Sequence, residues 1–278
     1  MFNDLLRLPL YTAPATHGDI DITYTHAGSG DLLILIHGSL CDLRYWRWQL
    51  NRLQVNCQVV ALSLPGYWPN DLYSAPNTFD FDLHLAAVTD VVHALHQPHQ
   101  KLYVLGHSRG AQIAANYAWE NTEKTDGLIL ADPAFSVGQP ALALSILQEA
   151  AERLMQGEDD KGLGLFIDAV SGSNTWSQMV GWFKTMVQDN ASTLIPQSQE
   201  TLPTVTENQI RQLSRTPLLL MNGANSPERY QNGTQRLLNL LPQAQHVAIE
   251  KASHGMNLAN PKAFNQAVRT FMNQMPAL

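Results

Sequence analysis

A serine flanked by glycines is the first part of this sequence that could carry out chemistry. Residues 106–110 read Gly-His-Ser-Arg-Gly, which fits the pattern G-x-S-x-G. An apolar run, "KLYVLG", leads into the motif, and a segment with helical character, "AQIAANYAWE", follows it. A turn this tight needs small neighbours and pushes the serine hydroxyl outward at a helix N-terminus, whose amides favour negative charge. An ordinary turn with a capping serine is the alternative, but the flanking elements favour Ser108 as a nucleophile.

A serine nucleophile needs a base, and His254 is the best-placed histidine. It lies in "ASHGMNLANP", between the last predicted strand and the last predicted helix, and it follows the serine in the order nucleophile, acid, base. The chain has 10 histidines, so the residue type alone indicates little. Four other histidines lie along one predicted helix and its end: His84, His93, His96 and His99. No cysteines or carboxylates are arranged around them as metal ligands. We therefore interpret these histidines as solvent-facing and predict no metal site.

The elements that must position these residues alternate between strands and helices. After two short strand-like pieces, "LPLYTA" and "DIDITYTHA", continuous apolar runs predict strands buried on both faces. These runs are "DLLILIHG" and "CQVVALSL", and further strands are predicted at "KLYVLG", "DGLILADP", "TPLLLMNG" and "QHVAIE". Helical patterns occur at 43–53, 81–96, after the serine motif, at about 228–240 and from Pro261 onward. The sequence therefore predicts an α/β fold with a mostly parallel, doubly wound sheet.

One block interrupts this alternation. Residues 135–205 contain helical patterns such as "ALALSILQEAAERLMQ" and "WSQMVGWFKTMVQ", but no good buried strand. An insertion between two parallel strands lies over their C-terminal ends, where ligands bind in open α/β folds. We therefore predict a core of 1–134 and 206–278, with a helical cap of 135–205 inserted after the sixth strand.

With these landmarks in place, the chain resembles the α/β-hydrolase family over almost its whole length. The matching segments are "LIHGSL", "GHSRG", "LADP" and "ASHGMNLANP". The resemblance implies that the backbone N–H groups of Ser39 and Arg109 form an oxyanion hole, and that no cofactor is needed. It also implies a contrast with haloalkane dehalogenases and epoxide hydrolases, which use aspartate where this chain has Ser108.

The acid of the implied triad is the least obvious member. In most members of the family it follows the strand after the lid, here "LLLMNGANSP", whose turn carries Asn225. Some members place it one strand earlier, where this chain has Asp132, and Pro133 biases that residue toward extended backbone. Glu228 is a competitor, although it has the position of a residue in the first turn of a helix. We predict Asp132, with Glu228 or no acid at all as alternatives.

Three other residues are candidates for contact with a substrate. Arg44, in "HGSLCDLRYWRW", could meet an anionic group or could be a solvated arginine that covers a helix start. Trp176 and Trp182 could form an apolar ceiling over the site or could hold the cap helices together.

Composition narrows the range of partners. The formal net charge is -7, from 17 Lys+Arg and 24 Asp+Glu, and no basic cluster is present, which argues against nucleic-acid binding. No apolar run approaches the length of a membrane span, and the first residues lack the apolar region of a signal peptide. We expect a cytoplasmic protein; the sequence does not indicate its oligomeric state.

Together these features predict a serine hydrolase that cleaves a small, largely apolar ester or related acyl compound through an acyl-enzyme. A C–C bond hydrolase or a perhydrolase on the same triad is an alternative. Another is a catalytically slow ligand-binding protein on a hydrolase scaffold, which a missing acid would favour.

Overall fold

A single eight-stranded sheet organises the computed structural model, which describes residues 8–16, 21–55, 57–70, 79–135, 137 and 144–275. The strands are β1 (Tyr11–Ala13), β2 (Ile22–Ala27), β3 (Asp31–Ile36), β4 (Cys57–Leu62), β5 (Leu102–His107), β6 (Gly127–Ala131), β7 (Leu218–Gly223) and β8 (Gln245–Ile249). Their order across the sheet is β1-β2-β4-β3-β5-β6-β7-β8. The pairs β1–β2 and β2–β4 are antiparallel and all others are parallel, so the predicted fold class is confirmed.

The central strands are apolar on both faces. In β3, Leu32, Ile34 and Ile36 pack into one apolar cluster, whereas Leu33 and Leu35 pack into a second cluster on the opposite face. Successive side chains of a strand point to opposite sides, so a continuous apolar run needs a hydrophobic layer on each side of the sheet. This pattern positions the parallel strands so that their C-terminal ends meet at one edge.

Helices supply these two layers. They are α1 (Arg47–Leu53), α2 (Phe81–Leu95), α3 (Arg109–Glu120), α4 (Leu144–Met155), α5 (Asp159–Ser171), α6 (Thr175–Gln178), α7 (Gly181–Asp189), α8 (Leu194–Gln199), α9 (Glu207–Gln212), α10 (Glu228–Leu240), α11 (Met256–Ala259) and α12 (Pro261–Asn273). Apolar residues of α2, α3 and α10 pack into the first cluster, and those of α1 and α12 into the second. The helix predicted at 43–53 begins instead as a 3-10 turn, Leu43–Trp46, and the side chain of its N-cap residue Asp42 accepts from the Arg44 N–H.

The helices α4 to α8 lie between β6 and β7 in the chain and have an apolar cluster of their own. Val137 and Val205 form a parallel bridge, so the chain enters and leaves this insertion at one place. Residues 136 and 138–143 of the predicted cap lie outside the described residues. The helical content matches the expectation for 135–205, and the division into core and cap stays a prediction. Among the helices of the described residues, none has the length and apolarity required to cross a membrane.

Candidate active site

Ser108 occupies a sharp turn between β5 and α3. Its backbone has φ 56° and ψ -121°, a region that residues other than glycine rarely adopt. A Cβ atom at Gly106 would strike the backbone of Gly110, and one at Gly110 would strike the carbonyl oxygen of His37. The Ser108 N–H donates to the carbonyl oxygen of Ala131 at 2.9 Å. Close packing therefore imposes both glycines and fixes the serine at the C-terminal edge of the sheet.

Asp132 lies at the same edge, directly after the neighbouring strand β6. Its N–H donates to the carbonyl oxygen of Met221 at 2.8 Å. Its carboxylate is fully buried, and Oδ2 lies 3.0 Å from Nδ1 of His254. The Ser226 hydroxyl donates to the same oxygen at 2.6 Å. The structure thus brings the predicted acid and the predicted base into direct contact.

The other candidates for the acid lie elsewhere. Glu228 is exposed, with Oε1 3.4 Å from Nδ2 of Asn232, and Asn225 is exposed as well. Within the turn after β7, it is Ser226 that faces the carboxylate. Asp132 itself has φ 40° rather than the extended backbone predicted from the following proline. With this backbone, Asp132 forms both its N–H bond to β7 and its side-chain bond to His254.

The contacts of Asp132 and His254 determine which of their atoms carry hydrogen. An ionised carboxylate only accepts hydrogen bonds, so Nδ1 of His254 carries the hydrogen and Nε2 keeps a free lone pair. Burial, together with the positive charge of Arg229, lowers the pKa of His254 to about 3. Burial also raises the pKa of Asp132 to about 6, against the hydrogen bond from Ser226. Near neutral pH the imidazole is therefore neutral and able to accept a proton.

Tyr230 is a member of the site that our sequence analysis missed. Its ring stacks on the His254 imidazole, with centroids 4.2 Å apart and planes at 18°. Its hydroxyl oxygen accepts from Arg229 Nη2 at 3.0 Å. Within the described residues, Ser108 Oγ makes no hydrogen bond with His254. Such bonds are often long before substrate binds, and no sequence pattern marks Tyr230 as part of the site.

The loop after β3 lies against the serine. A Cβ atom at Gly38 would come within 2.9 Å of the Ser108 Cβ, and Ser39 follows directly. Arg109 is the first residue of α3, so its N–H is among the amides that have no acceptor within the helix. The loop that carries Ser39 and the first residue of α3 therefore both lie next to Ser108, and the role of their N–H groups as an oxyanion hole stays a prediction.

Two buried histidines support these loops. Nε2 of His37 accepts from the Leu64 N–H at 3.0 Å, so its Nδ1–H donates to the Gly38 carbonyl oxygen at 2.9 Å. His107 donates from Nε2 to the carbonyl oxygen of His254 at 2.8 Å. Burial lowers the pKa of His37 to about 4 and that of His107 to about 3, so both stay neutral. They brace the backbone on each side of the serine.

Comparison with known proteins agrees with this geometry. A sequence model of the alpha/beta hydrolase family matches residues 33–267. The chain belongs to this family. Epoxide hydrolase 3 of Mus musculus is 27% identical over 146 residues, which is 52% of this chain and only 37% of the length of that protein.

Solved structures show the same fold. A bromoperoxidase from Bacillus anthracis has a TM-score of 0.79 at 16% identity, over 96% of this chain and 100% of that chain. A thermophilic esterase from Thermogutta terrifontis has a TM-score of 0.76 at 20% identity, over 97% and 99%. Identities this low support the fold alone.

In this member of the family, the residue after Ser108 also carries a buried ion pair. The Arg109 guanidinium donates to both carboxylate oxygens of Glu200, at 2.6 and 2.8 Å, and to Nδ1 of His84 at 3.1 Å. His84 is fully buried, so our interpretation of it as solvent-facing is wrong. Its partners lie far away in sequence, and a helical pattern alone does not reveal them.

Arg44 is neither solvated nor free. Its guanidinium donates to Asp42 at 2.9 and 2.7 Å and to Asp189 at 2.8 Å, and it stacks over the Trp68 ring at 4.0 Å. Its side chain is only 9% exposed, which contradicts the alternative of a solvated arginine. Two carboxylates already hold the charge, so a substrate anion would have to displace one of them.

The two tryptophans have packing partners of their own. Trp176 is buried in the apolar cluster of the inserted helices, and its indole N–H donates to Asp160 at 2.8 Å. Trp182 packs on the second core cluster and under the guanidinium of Arg47, at 4.1 Å. These contacts favour the expectation that they hold the helices together; contact with a substrate stays a prediction.

Two further features lie outside this site. No group of three or more His, Cys, Asp or Glu side chains forms a metal-ligand set within the described residues. A surface cavity of about 550 Å³ lies between α1 and α12, and none of the predicted site residues lines it. The lining residues are Trp48, Arg52, Pro261, Lys262, Asn265 and Arg269.

Proposed function

We propose that this chain is a serine hydrolase that cleaves a small, largely apolar carboxylic ester through an acyl-enzyme. The hydrogen bond between Asp132 and His254, at the rim that also holds the strained Ser108, carries the proposal. A slow ligand-binding protein was an alternative because an acid could be missing. The contact of Asp132 with His254 removes that motivation.

Acylation follows from the positions of these groups. His254 Nε2 accepts the hydroxyl proton as Ser108 Oγ attacks the ester carbonyl carbon. Asp132 stabilises the resulting imidazolium and keeps the ring in the required tautomer. The N–H groups of Ser39 and Arg109 donate to the oxyanion, a contribution of roughly 3 kcal/mol per donor in related chemistry. The imidazolium then gives its proton to the leaving oxygen, and water later releases the acyl group by the reverse sequence.

The surroundings favour an apolar substrate. Leu40, the residue after Ser39, is fully buried in the apolar cluster of the inserted helices. The loop that carries the proposed oxyanion hole therefore packs against the apolar side of the inserted helices. Esterases are among the proteins with a similar fold. The partial relative is called an epoxide hydrolase, but this chain has serine at the nucleophile position, and serine forms an acyl-enzyme.

Labelling of the serine tests the proposal. A fluorophosphonate is expected to modify the protein once per chain, and peptide mass spectrometry should map the adduct to Ser108. A p-nitrophenyl ester is expected to give a burst of about one p-nitrophenolate per chain, because acylation precedes release of the acyl group. Absence of both the adduct and the burst would favour the ligand-binding alternative.

The pH dependence should report on Asp132. Its carboxylate must be ionised to stabilise the imidazolium, and its pKa is about 6, so kcat/KM should be constant above about pH 7. Below about pH 6, kcat/KM should fall tenfold per unit as one proton binds to the pair. Ser226→Ala removes a hydrogen bond that lowers this pKa, so the acidic limb should move upward by roughly one pH unit.

A matched control is Ser253→Ala. The Ser253 hydroxyl donates to the carbonyl oxygen of Ser171 at 2.7 Å rather than to Asp132, so the acidic limb should stay in place. If the acidic limb of the kcat/KM profile did not move in Ser226→Ala, a group other than Asp132 would determine that limb.

A further inference from the structure

One short segment of the insertion contacts both residues of the proposed oxyanion hole through their side chains. Gln197 lies in α8, and its Nε2 donates to the Ser39 hydroxyl oxygen at 2.8 Å. Glu200 follows α8 directly, and its carboxylate accepts from the Arg109 guanidinium at 2.6 and 2.8 Å. Ser39 follows β3 and Arg109 begins α3, so residues 197–200 form a bridge between two separate parts of the site.

The contact with Arg109 anchors this bridging segment to a rigid part of the molecule. The Arg109 side chain is 4% exposed and that of Glu200 is 8% exposed. Two hydrogen bonds join the guanidinium to the carboxylate, and such a bidentate pair fixes orientation as well as distance. The Glu200 N–H also donates to the Gln197 carbonyl oxygen at 3.4 Å, which closes the last turn of α8. Gln197 is therefore held in place relative to α3.

The loop that carries Ser39 needs such support, because its backbone is strained. Leu40, the next residue, has φ 59°, a region that residues other than glycine occupy only where their surroundings impose it. Leu40 is fully buried in the apolar cluster of the inserted helices. The insertion thus holds this loop at two adjacent residues, by the packing of Leu40 and by the hydrogen bond to Ser39.

We infer that Gln197 is a positioning residue that holds the Ser39 N–H at the correct place opposite the Arg109 N–H. This inference rests on the proposed function, in which both N–H groups donate to the oxyanion. The Arg109 N–H is fixed by α3, so the Ser39 N–H is the donor whose position depends on the insertion. An oxyanion donor acts by being in place before charge develops, and a displacement of about 1 Å can cost a hundredfold in rate.

Gln197→Met tests the inference. Methionine has a similar length but no N–H to donate to Ser39. Acylation and deacylation both pass through an oxyanion, so kcat for a p-nitrophenyl ester should fall roughly tenfold to a hundredfold, while KM changes by less than about twofold. A trifluoromethyl ketone forms a tetrahedral adduct with a serine oxygen, and its inhibition constant should rise by the factor by which kcat falls.

The matched control is Gln112→Met. Gln112 lies in α3, and its Nε2 donates to the Pro203 carbonyl oxygen at 3.2 Å, so it also ties α3 to the end of the insertion but without Ser39. Its kcat and inhibition constant should stay within about twofold of the wild-type values. An unchanged kcat in Gln197→Met, or an equal loss in Gln112→Met, would overturn the inference while fluorophosphonate labelling of the wild type still supported the hydrolase.

A double variant shows whether the hydrogen bond itself carries the effect. Ser39→Ala keeps the backbone N–H and removes the hydroxyl that Gln197 holds, so it should lose as much kcat as Gln197→Met. The two changes combined should lose no more than either alone, because each removes the same hydrogen bond. Losses that multiply in the double variant would contradict the role of this hydrogen bond.

Hydrogen exchange follows the same loop without turnover. Amides exchange faster where the contacts that hold a loop are lost, so a peptide that contains Ser39 and Leu40 should exchange about tenfold faster in Gln197→Met. In Gln112→Met it should exchange at the wild-type rate. Unchanged exchange in Gln197→Met would show that Gln197 does not hold the loop. This result would stand even if the wild type gave no fluorophosphonate adduct and the proposed function had failed on its own.

Discussion

Ser108→Ala is expected to lower kcat for ester hydrolysis by about 10⁶-fold, the loss seen when the nucleophile of a comparable serine constellation is removed. Alanine has no oxygen to attack the carbonyl carbon. The measurement is the steady-state rate on a p-nitrophenyl ester, with the fluorophosphonate adduct as a second readout. Both should disappear together.

The variant should remain folded, which makes the result interpretable. Alanine has the same Cβ as serine and can occupy the backbone of residue 108 at a similar conformational cost. Thermal unfolding should therefore resemble that of the wild type. Ser253→Ala serves as a control, because it removes a serine hydroxyl near His254 that bonds to Ser171. Retention of even a hundredth of the wild-type rate in Ser108→Ala would mean that the nucleophile lies elsewhere.

Asp132→Asn is the second large effect. It should lower kcat by more than a hundredfold, and by about 10⁴-fold if the loss equals that in serine proteases. Asparagine brings no charge to stabilise the imidazolium, and its amide N–H₂ can force the ring into the wrong tautomer. Glu228→Gln should change kcat by less than about twofold, as expected for an exposed residue outside the site. The reverse pattern of losses would show that the acid is Glu228.

The position of Ser226 allows a sharper test of the same idea. Its Oγ lies 2.6 Å from Asp132 Oδ2, so a carboxylate at 226 would lie at the same edge of the imidazole. Adding Ser226→Asp to the Asp132→Asn variant should therefore restore part of the lost rate. Ser226→Asp alone should be destabilised, because two buried carboxylates would face each other. No recovery in the double variant would show that Asp132 acts by something other than its charge.

The strands could be predicted for one physical reason. Continuous apolar runs mark strands buried on both faces, and the residues that end them share one edge of a parallel sheet. Ser108 and Asp132 follow neighbouring strands, so the strand order brings them to the same edge. Ser108 and His254 came from the serine motif and from chain order, and Asp132 from the resemblance to the family. The 3-10 turn before α1 was not predicted, because a helical pattern does not separate a short 3-10 turn from the first turn of an α-helix.

Side-chain contacts between residues that lie far apart in the sequence could not be predicted in this way. Arg44 is held by Asp189, a residue 145 positions away, and Tyr230 reaches His254 only through the packing of α10 on the sheet. The turn after β7 illustrates the same limit. Asn225 was the residue expected to face the site, but the local backbone turns Ser226 inward instead. Composition and periodicity carry no information on such side-chain directions.

The buried pair of Arg109 and Glu200 ties the end of the insertion to the start of α3. Separating the two would leave a buried charge alone at a cost of about 3 kcal/mol or more. Arg44 also holds Asp189, at the end of α7, at 2.8 Å. The first half of the insertion, α4 to α6, is tied instead by hydrogen bonds to carbonyl oxygens, from Ser253 to Ser171 and from Arg229 to Ala169. We therefore expect the C-terminal end of the insertion to be the last part that separates from the sheet.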